Sequence, residues 1–178
     1  MNLGKLMAIA ILLCGLVAGV SIYYLQVYYF YEEVVPTGTD DVMLTTLDGA
    51  RTAIPYADFQ GIDADSSPIR YRACFTTTLT PAEAAETYKP YEGAEPRNAP
   101  GWFGCFDAEA IGDAIEAGTA RVFIGHRNME FGIDRVVAIT DDGRGYVWHE
   151  INDCGDKAYD GTPLGDDCPD RDSFEKDQ

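Results

Sequence analysis

The longest apolar pattern in the chain lies near its amino terminus. Between Leu6 and Tyr31 no residue is charged, and Ile, Leu, Val and Ala predominate. About 20 apolar residues in a helix span the hydrocarbon core of a bilayer, whereas the apolar core of a cleavable signal peptide has only about 7 to 15. Residues 1–31 are therefore predicted to form a short cytoplasmic tip and a transmembrane signal anchor. Cleavage near Val17-Ala18-Gly19 is the alternative.

Charges flank the apolar run unequally. Lys5 precedes it, and Glu32 and Glu33 follow it. Under the positive-inside rule, the amino terminus is cytoplasmic and the rest of the chain is outside, which in a bacterial inner membrane is the periplasm. The competing interpretation, a buried aromatic helix of a soluble domain, is disfavoured by the absence of charge and the abrupt change to glutamate.

Tyrosines crowd the outer end of the run, in "YYLQVYYFYEE". A tyrosine prefers the boundary between lipid and water, because its ring is apolar and its hydroxyl is polar. The sequence therefore predicts an interface belt, with two tyrosines deeper and three near the headgroups: Tyr23, Tyr24, Tyr28, Tyr29 and Tyr31.

Beyond the anchor, the pattern predicts a polar linker over 32–41, one domain over 42–154 and a tail over 155–178. The tail is acidic and rich in Gly, Pro and Asp, and we expect it to be disordered after Cys168. Strands are predicted over 42–47, 69–79 and 120–125, and a hairpin over 132–151 with its turn at 141–143. Within 69–79, apolar and polar residues alternate as in a half-buried strand.

Two helices are predicted between these strands. One begins at Thr80, which forms a capping box with Glu83, and the other is capped by Asp107 and ends at Gly118. The order of elements indicates an α+β domain, in which both helices pack on one face of a mostly antiparallel sheet.

The exported part is strongly acidic. It holds all 30 acidic residues and 12 of the 13 basic residues, which gives a formal charge of −18. Such a surface disfavours anionic partners, so we expect no nucleic acid binding and no docking on anionic headgroups.

Four cysteines lie in the exported part: Cys74, Cys105, Cys154 and Cys168. An even number in an oxidising compartment indicates disulfides. Of the three possible pairings, we expect Cys74–Cys105 with Cys154–Cys168. The fifth, Cys14, lies in the span after Leu13, which is too large for a lipoprotein signal.

Three stretches of the domain, together with the predicted anchor, resemble a known family of sequences. "IDADSSPIRYRACF", "APGWFGCFDAEAI" and "GIDRVVAITDDGRGYVWHEI" resemble an uncharacterised alphaproteobacterial family of single-span membrane proteins, catalogued as a domain of unknown function. The resemblance covers most of residues 1–154. It implies no activity and no functional residues. Some members carry an automatic histidine kinase label, which the sequence does not support because no nucleotide-binding domain is predicted.

Several residues are candidates for chemistry. His149 lies beside Trp148 and Glu150 in "YVWHEI" and is a candidate general base, although a structural histidine is the favoured interpretation. His126 and Met129 are too few to form a copper site. The segments 63–67 and 141–145 do not fit a calcium loop and are predicted turns. We therefore predict no metal and no cofactor.

Two further motifs bear on contacts. Trp102 and Phe103 lie in a Pro/Gly loop, where covering the core beside a disulfide is the favoured role and an exposed contact is the alternative. Gly15 and Gly19 form a G-x-x-x-G pair that would let another helix approach closely in lipid. The pair predicts a membrane-protein partner or a homodimer through the span.

Two classes of function remain open. The first is a non-catalytic, membrane-tethered periplasmic module that serves as an accessory, assembly or scaffold subunit of a membrane complex. The second is a periplasmic enzyme or ligand sensor with a site around His149. The first is favoured, because the carboxylates are typical of a solvated surface and few other catalytic residue types are present.

The topology can be tested directly. A reporter that works only in the periplasm should be active when it is fused after Gln178, and the mature chain should begin at Met1 or Asn2. Amino-terminal sequencing that finds a new terminus near Val20 or Ser21 would contradict the retained anchor.

Overall fold

The apolar run forms a single long helix. In a computed structural model, which describes residues 2–162, 165, 168, 169 and 174, helix α1 spans Leu3–Tyr24 and continues as a π-helix over Leu25–Tyr29. Within this described part, it is the one helix long and apolar enough to cross a membrane. None of the α1 side chains is buried against the rest of the chain. The segment is thus a candidate membrane anchor or signal sequence.

The domain that follows is built on a six-stranded antiparallel sheet. Its spatial order is β1-β4-β5-β8-β7-β6. The strands in this order are β1 (Glu32–Glu33), β4 (Ala57–Asp63), β5 (Arg72–Thr76), β8 (Arg144–Ile151), β7 (Ile133–Thr140) and β6 (Ala120–Glu130). A separate hairpin consists of β2 (Met43–Thr45) and β3 (Arg51–Ala53), and the helices are α2 (Pro81–Thr87) and α3 (Ala108–Glu116). The predicted α+β class is confirmed.

Both faces of the large sheet are covered. On the face that we call face A, the hairpin β2–β3 and α2 pack on the sheet, with Leu44 and Ala84 in one core cluster. On the opposite face, face B, α3 and the loop before it contribute Ile111 and Phe106 to a second cluster. The prediction that both helices share one face is wrong. The central strands carry apolar residues at consecutive positions, so each face needs its own cover.

Strand β5 illustrates this double burial. Ala73 and Phe75 belong to the cluster on face A, while Cys74 belongs to the cluster on face B. Arg72 is also buried, with 4% of its surface exposed. The expectation of a half-buried strand over 69–79 is therefore wrong, and the strand itself is shorter, because its apparently polar positions face a second core.

Three strands have no counterpart in the sequence prediction: β1, β3 and β4. In β4, a bulge between Ala57 and Gln60 and the positive φ of Asp58 interrupt the period of two. In β1, both residues are glutamates that pair with Asp63 and Ile62. The first part of the predicted linker is consequently held on the sheet by main-chain hydrogen bonds, which a hydropathy pattern does not reveal.

The edges of the sheet are both covered by short segments. Beside β4, the amide of Val34 donates to the carbonyl of Gly61 at 2.9 Å, which extends the pairing of β1. Beside β6, the amide of Tyr91 donates to Val122 at 2.8 Å, and that of Ile124 donates to Lys89 at 2.9 Å. Short covers of this kind limit edge-to-edge association between domains.

The predicted caps and hairpin turn are confirmed. The Thr80 hydroxyl accepts from the Glu83 amide, and the Glu83 carboxylate accepts from the Thr80 amide, which completes the capping box. Asp107 caps α3, and Gly118 ends that helix region with φ +75°. Gly143 takes φ +80° in the turn between β7 and β8, a conformation that favours glycine.

Two disulfides tie the loops to the sheet. Cys74 is bonded to Cys105, which joins β5 to the loop before α3, and Cys154 is bonded to Cys168. In the chain-entropy model, closing a loop of about 15 residues contributes roughly 3 kcal/mol. Cys14 is a free thiol on α1. The predicted disorder after Cys168 concerns a segment of which all residues except 169 and 174 lie outside the described part of the chain.

A substitution at Gly145 tests the packing on face A, and a substitution at Gly112 is its control. A Cβ at Gly145 would overlap the ring of Phe75, whereas a Cβ at Gly112 in α3 meets nothing within 4 Å. We expect Gly145→Ala to lower the free energy of unfolding by about 1 to 3 kcal/mol through overpacking. Gly112→Ala should raise it by about 0.5 to 1 kcal/mol, because alanine favours a helix. Chemical denaturation of the full chain in detergent micelles measures both, and equal effects would contradict the packing described.

Candidate functional site

A row of polar side chains crosses face A at one end of the sheet. His126 pairs with Arg135, and Arg135 pairs with His149, so the three lie level on β6, β7 and β8. The ring of Tyr71 stacks on His149 with centroids 4.9 Å apart. Asp63 follows the pair formed by Ile62 and Arg72, which brings it level with Tyr71. Antiparallel register therefore assembles a polar row from five separate segments.

His149 is bonded at both ring nitrogens. Its Nδ1 lies 2.5 Å from the carbonyl oxygen of Pro68, and its Nε2 lies 3.0 Å from Nε of Arg135. Because the arginine can only donate and the carbonyl can only accept, the imidazole is neutral and carries its proton on Nδ1. The guanidinium of Arg135 lies 4.2 Å from the centroid of the Tyr71 ring. The residues thus form a closed set of contacts.

The environment of His149 opposes protonation. Burial, and then the positive charge of Arg135, lower the pKa of His149 from 6.5 to about 3. A general base works best with a pKa near the operating pH and with a free nitrogen that faces its substrate. His149 has neither property, so the geometry favours a structural histidine.

Trp148 and Glu150 do not join His149. They lie on face B, where the indole of Trp148 donates to Oε1 of Glu150 at 2.7 Å. The same oxygen accepts from the amide of Glu95 at 2.7 Å, and Oε2 lies 3.5 Å from Nη2 of Arg97. Alternation along β8 separates sequence neighbours, so Glu150 holds the loop on face B and cannot orient the histidine.

Arg72 is a structural residue that the sequence interpretation missed. Its Nη1 donates to the carbonyls of Ile69 and Tyr71, and its Nε donates to the carbonyl of Arg97 at 2.8 Å. Burial lowers the pKa of Arg72 to about 10, so it remains charged at neutral pH. The available signal was a basic residue inside an otherwise apolar strand. With Glu150, Arg72 holds the 95–98 loop against the sheet.

The metal candidates are dispersed. Within the described residues, no group of three or more His, Cys, Asp or Glu side chains could hold a metal ion. His126 belongs to the polar row on face A, opposite Arg135. Asp63 accepts a hydrogen bond from the amide of Ala64 at 2.8 Å, and Asp142 is bonded to Arg144 within the hairpin turn. Asp63 is thus bonded to its own chain neighbour at the end of β4, and Asp142 is bonded within a turn.

The end of the apolar helix is joined to the domain by side chains. The indole Nε1 of Trp102 donates to the carbonyl of Val27 at 2.6 Å, and Nη2 of Arg70 donates to Oε1 of Gln26 at 2.7 Å. We call this set the junction: residues 26–31 of the helix end together with Arg70 and Trp102. Since the last carbonyls of a helix lack partners within it, the indole satisfies an acceptor that the helix leaves open.

Aromatic packing reinforces the junction. Trp102 stacks on Tyr28 with centroids 6.4 Å apart and meets Tyr31 edge to face at 6.0 Å. The guanidinium of Arg70 lies 5.6 Å from the centroid of Tyr31, within the range of a cation–π contact. Tyr23 and Tyr24 pack on Tyr28 in turn. Part of the predicted tyrosine belt is therefore a docking surface for the domain.

The Pro/Gly loop serves both roles that its sequence left open. Phe103 is 8% exposed and belongs to the core on face B, beside the disulfide of Cys105. Trp102 is 40% exposed and contacts the helix end. The amide of Phe103 donates to the carbonyl of Pro100 at 2.9 Å and closes a turn around Trp102. In this turn the ring of Phe103 enters the core and anchors the loop, while the ring of Trp102 is presented outward.

Comparison with known proteins places the domain in a family. Residues 42–169 match the sequence model described as a family of unknown function (DUF6446). The chain belongs to this family. No curated protein and no solved structure matches the chain.

The DUF6446 match includes only one side of the junction. Arg70 and Trp102 lie within residues 42–169, as do both disulfides. The helix residues that they contact, including Val27, precede the matched segment. The family match and the apolar helix are thus separate observations about this protein.

The protonation state of His149 is a direct test of the polar row. A free histidine titrates near pH 6.5, whereas His149 should stay neutral, with its proton on Nδ1, between about pH 5 and 8. Histidine-selective NMR of the full chain in micelles measures this, and His126→Gln assigns the two rings. A midpoint near pH 6.5 for His149 would contradict the described contacts.

The lowered pKa of His149 makes the free energy of unfolding depend on pH. Because the folded pKa is depressed, the unfolded chain binds more protons as the pH falls below 6.5. The stabilising contribution is complete above that pH and is lost toward pH 3.

Proposed function

We propose that this protein is a membrane-anchored, non-catalytic module that serves as an accessory, assembly or scaffold subunit of a membrane complex. The observation that carries the proposal is the junction, in which Trp102 and Arg70 bind the end of the apolar helix. An enzyme that acts on soluble substrates does not need a membrane anchor or a domain docked on one. A subunit that acts beside a membrane partner gains a defined position from it.

The proposed location is the periplasmic side of the inner membrane. Lys5 before the helix, and Glu32 and Glu33 after it, support a cytoplasmic amino terminus. The two disulfides suit an oxidising compartment. The sequence resemblance adds an alphaproteobacterial source to this proposal.

The domain is positioned close to the helix end. A free linker of ten residues would allow an average reach of roughly 15 to 20 Å. Here Tyr31 already packs at the junction, β1 pairs with β4, and Val34 bonds to Gly61. We infer that partners must project only a short distance above the membrane to meet this domain.

The helix offers a surface for a second span. Nothing lies within 4 Å of a Cβ placed at Gly15 or at Gly19. Small residues spaced in this way permit close approach of helix backbones in lipid, where packing rather than the hydrophobic effect drives association. A membrane-protein partner or a second copy of the chain is the proposed occupant.

The alternative is a periplasmic enzyme or ligand sensor with a site around His149. Its support is weaker, because both imidazole nitrogens are bonded and Trp148 and Glu150 are on the other face. The ring nitrogens of His149 are bonded to protein groups, so neither is open to a ligand or substrate.

Recovery of a partner tests the proposal. A tagged full chain, extracted in mild detergent and purified by affinity, should retain a membrane protein or a second copy. Gly15→Leu combined with Gly19→Leu should reduce that recovery by about tenfold, because the larger side chains separate the helices. Mass spectrometry identifies the partner, and a differently tagged copy detects self-association.

A matched variant controls for general effects on the span. Ala10→Leu combined with Val17→Leu enlarges two side chains on the opposite side of the helix and should leave recovery unchanged. If the chain purifies alone, or if both pairs of substitutions act equally, the subunit proposal is wrong.

A further inference from the structure

We propose that the junction side of the domain rests on the outer surface of the bilayer, with Trp102 in the headgroup layer and Arg70 bound to the phosphate of a phospholipid. This inference rests on the anchoring part of the proposed function and is independent of any protein partner. It assigns the domain a second membrane contact besides its helix.

Helix length sets the depth of the junction. With Lys5 at the inner boundary, about 30 Å of hydrocarbon at 1.5 Å per residue places the outer boundary near Leu25. Val27 then lies roughly 3 Å beyond it, among the headgroups. The indole of Trp102 is bonded to the Val27 carbonyl, so Trp102 must occupy the same layer.

The exposed ring of Trp102 suits that layer. Tryptophan is enriched at the membrane interface, because its ring is large and apolar and its N–H is polar. Trp102 is 40% exposed even with its contacts to the helix. It also lines a groove of about 340 Å³ together with Phe103, Val34, Pro36 and Phe59. Glu33 and Gln60 line the same groove, so the side of the domain nearest the helix end presents a mixed apolar and polar surface, as suits the headgroup layer.

Basic residues gather at this side of an otherwise acidic domain. Arg70 lies over Tyr31, and Arg72 joins the carbonyls of Ile69 and Arg97. Three of the 12 basic residues after the span are thus held near one another. The formal charge of −18 repels anionic surfaces as a whole, so this contact depends on a local match between guanidinium and phosphate.

Two arginines here have donors that the protein does not satisfy. In the described part of the chain, the buried side-chain atoms without a hydrogen-bond partner are Nη1 of Arg70 and Nε of Arg97. A buried donor without an acceptor destabilises the fold, because the hydrogen bond it made to water is lost and not replaced. Arg70 is the one of the two that contacts the helix end, through Gln26 and Tyr31, and we infer that its open donor meets an acceptor from outside the chain.

A lipid phosphate is the acceptor that the position favours. Arginine binds phosphate oxygens with several parallel hydrogen bonds, and phosphates lie at the depth derived for Val27. Arg70 is half-buried and bonded through Nη2 to Gln26. Its Nη1 is buried in the structure, so the proposed contact requires the guanidinium to turn about the bond to Gln26 until Nη1 reaches a headgroup.

The depth of Trp102 can be measured in vesicles. The chain has two tryptophans, and Trp148 is 0% exposed in the core. The full chain should be reconstituted into phosphatidylcholine vesicles with bromine at defined depths along the acyl chains. We expect the shallowest bromine to quench Trp102 most strongly. Trp102→Phe should abolish the quenching, and Trp148→Phe should preserve it.

Two outcomes separate this inference from the anchor itself. If the chain floats with the vesicles and Trp102 is not quenched, the domain faces away from lipid and the inference is overturned while the anchor stands. If the chain fails to float, the anchor is wrong, and the inference falls with it.

The phosphate is tested by comparing lipids and arginine variants. Quenching of Trp102 should fall by at least about twofold in vesicles of digalactosyl diacylglycerol, which lack phosphate, and in phosphatidylcholine with Arg70→Gln. Arg121→Gln changes the same charge at an exposed position on β6 and should have no effect. Unchanged near-ultraviolet circular dichroism verifies folding of each variant.

Free phosphate distinguishes the source of the anion. Inorganic phosphate added to the glycolipid vesicles should fail to restore quenching, because the proposed acceptor is held at the depth of Val27. Restoration would overturn the lipid assignment. Equal quenching in both lipids, with Arg70→Gln indistinguishable from Arg121→Gln, would overturn the phosphate site and leave only the contact of Trp102.

Discussion

Burial of the central strands on both faces is the constraint on which the rest of the domain depends. Val136 and Val137 on β7, and Val147 and Trp148 on β8, are each almost fully buried although neighbours in a strand point in opposite directions. Two covers are therefore required, and the chain provides the hairpin β2–β3 with α2 on face A and α3 with its preceding loop on face B. The Cys74–Cys105 disulfide fastens the second cover to the sheet.

The same constraint determines how buried polar groups are used. His149 and Glu150 are adjacent in sequence, yet they serve separate networks on opposite faces. On face B, Glu150 and Arg72 hold the backbone between Glu95 and Asn98. Phe103 and Cys105 then fix the rest of that loop, which presents Trp102 to the helix end. A continuous set of contacts thus leads from the core to the apolar helix, and this set is why the domain has a defined position beside the helix end.

Local rules accounted for much of the fold. The cap at Thr80, the glycine at 143 and the apolar periods of β6, β7 and β8 act over a few residues, so a sequence pattern reveals them. Prediction was wrong where the signal was not local. Strand β4 is bulged at Asp58, β1 consists of two glutamates, and the polar alternation of β5 concealed a second buried face. In each case pairing or packing with distant residues outweighed the local preference.

For the candidate site, the sequence by itself determined the apolar helix, its aromatic carboxyl-terminal end, the acidic charge and the set of cysteines, because composition and period are properties of the chain alone. Only the tertiary structure decided which side chains meet. Register across five segments brought Tyr71, Arg135 and His149 together, and the pleat moved Trp148 and Glu150 away from them. The junction of Trp102 with Val27 joins residues 75 apart. Its hydrogen bond depends on the position of a loop held by the core on face B. A local sequence pattern cannot predict contact between residues so far apart in the chain.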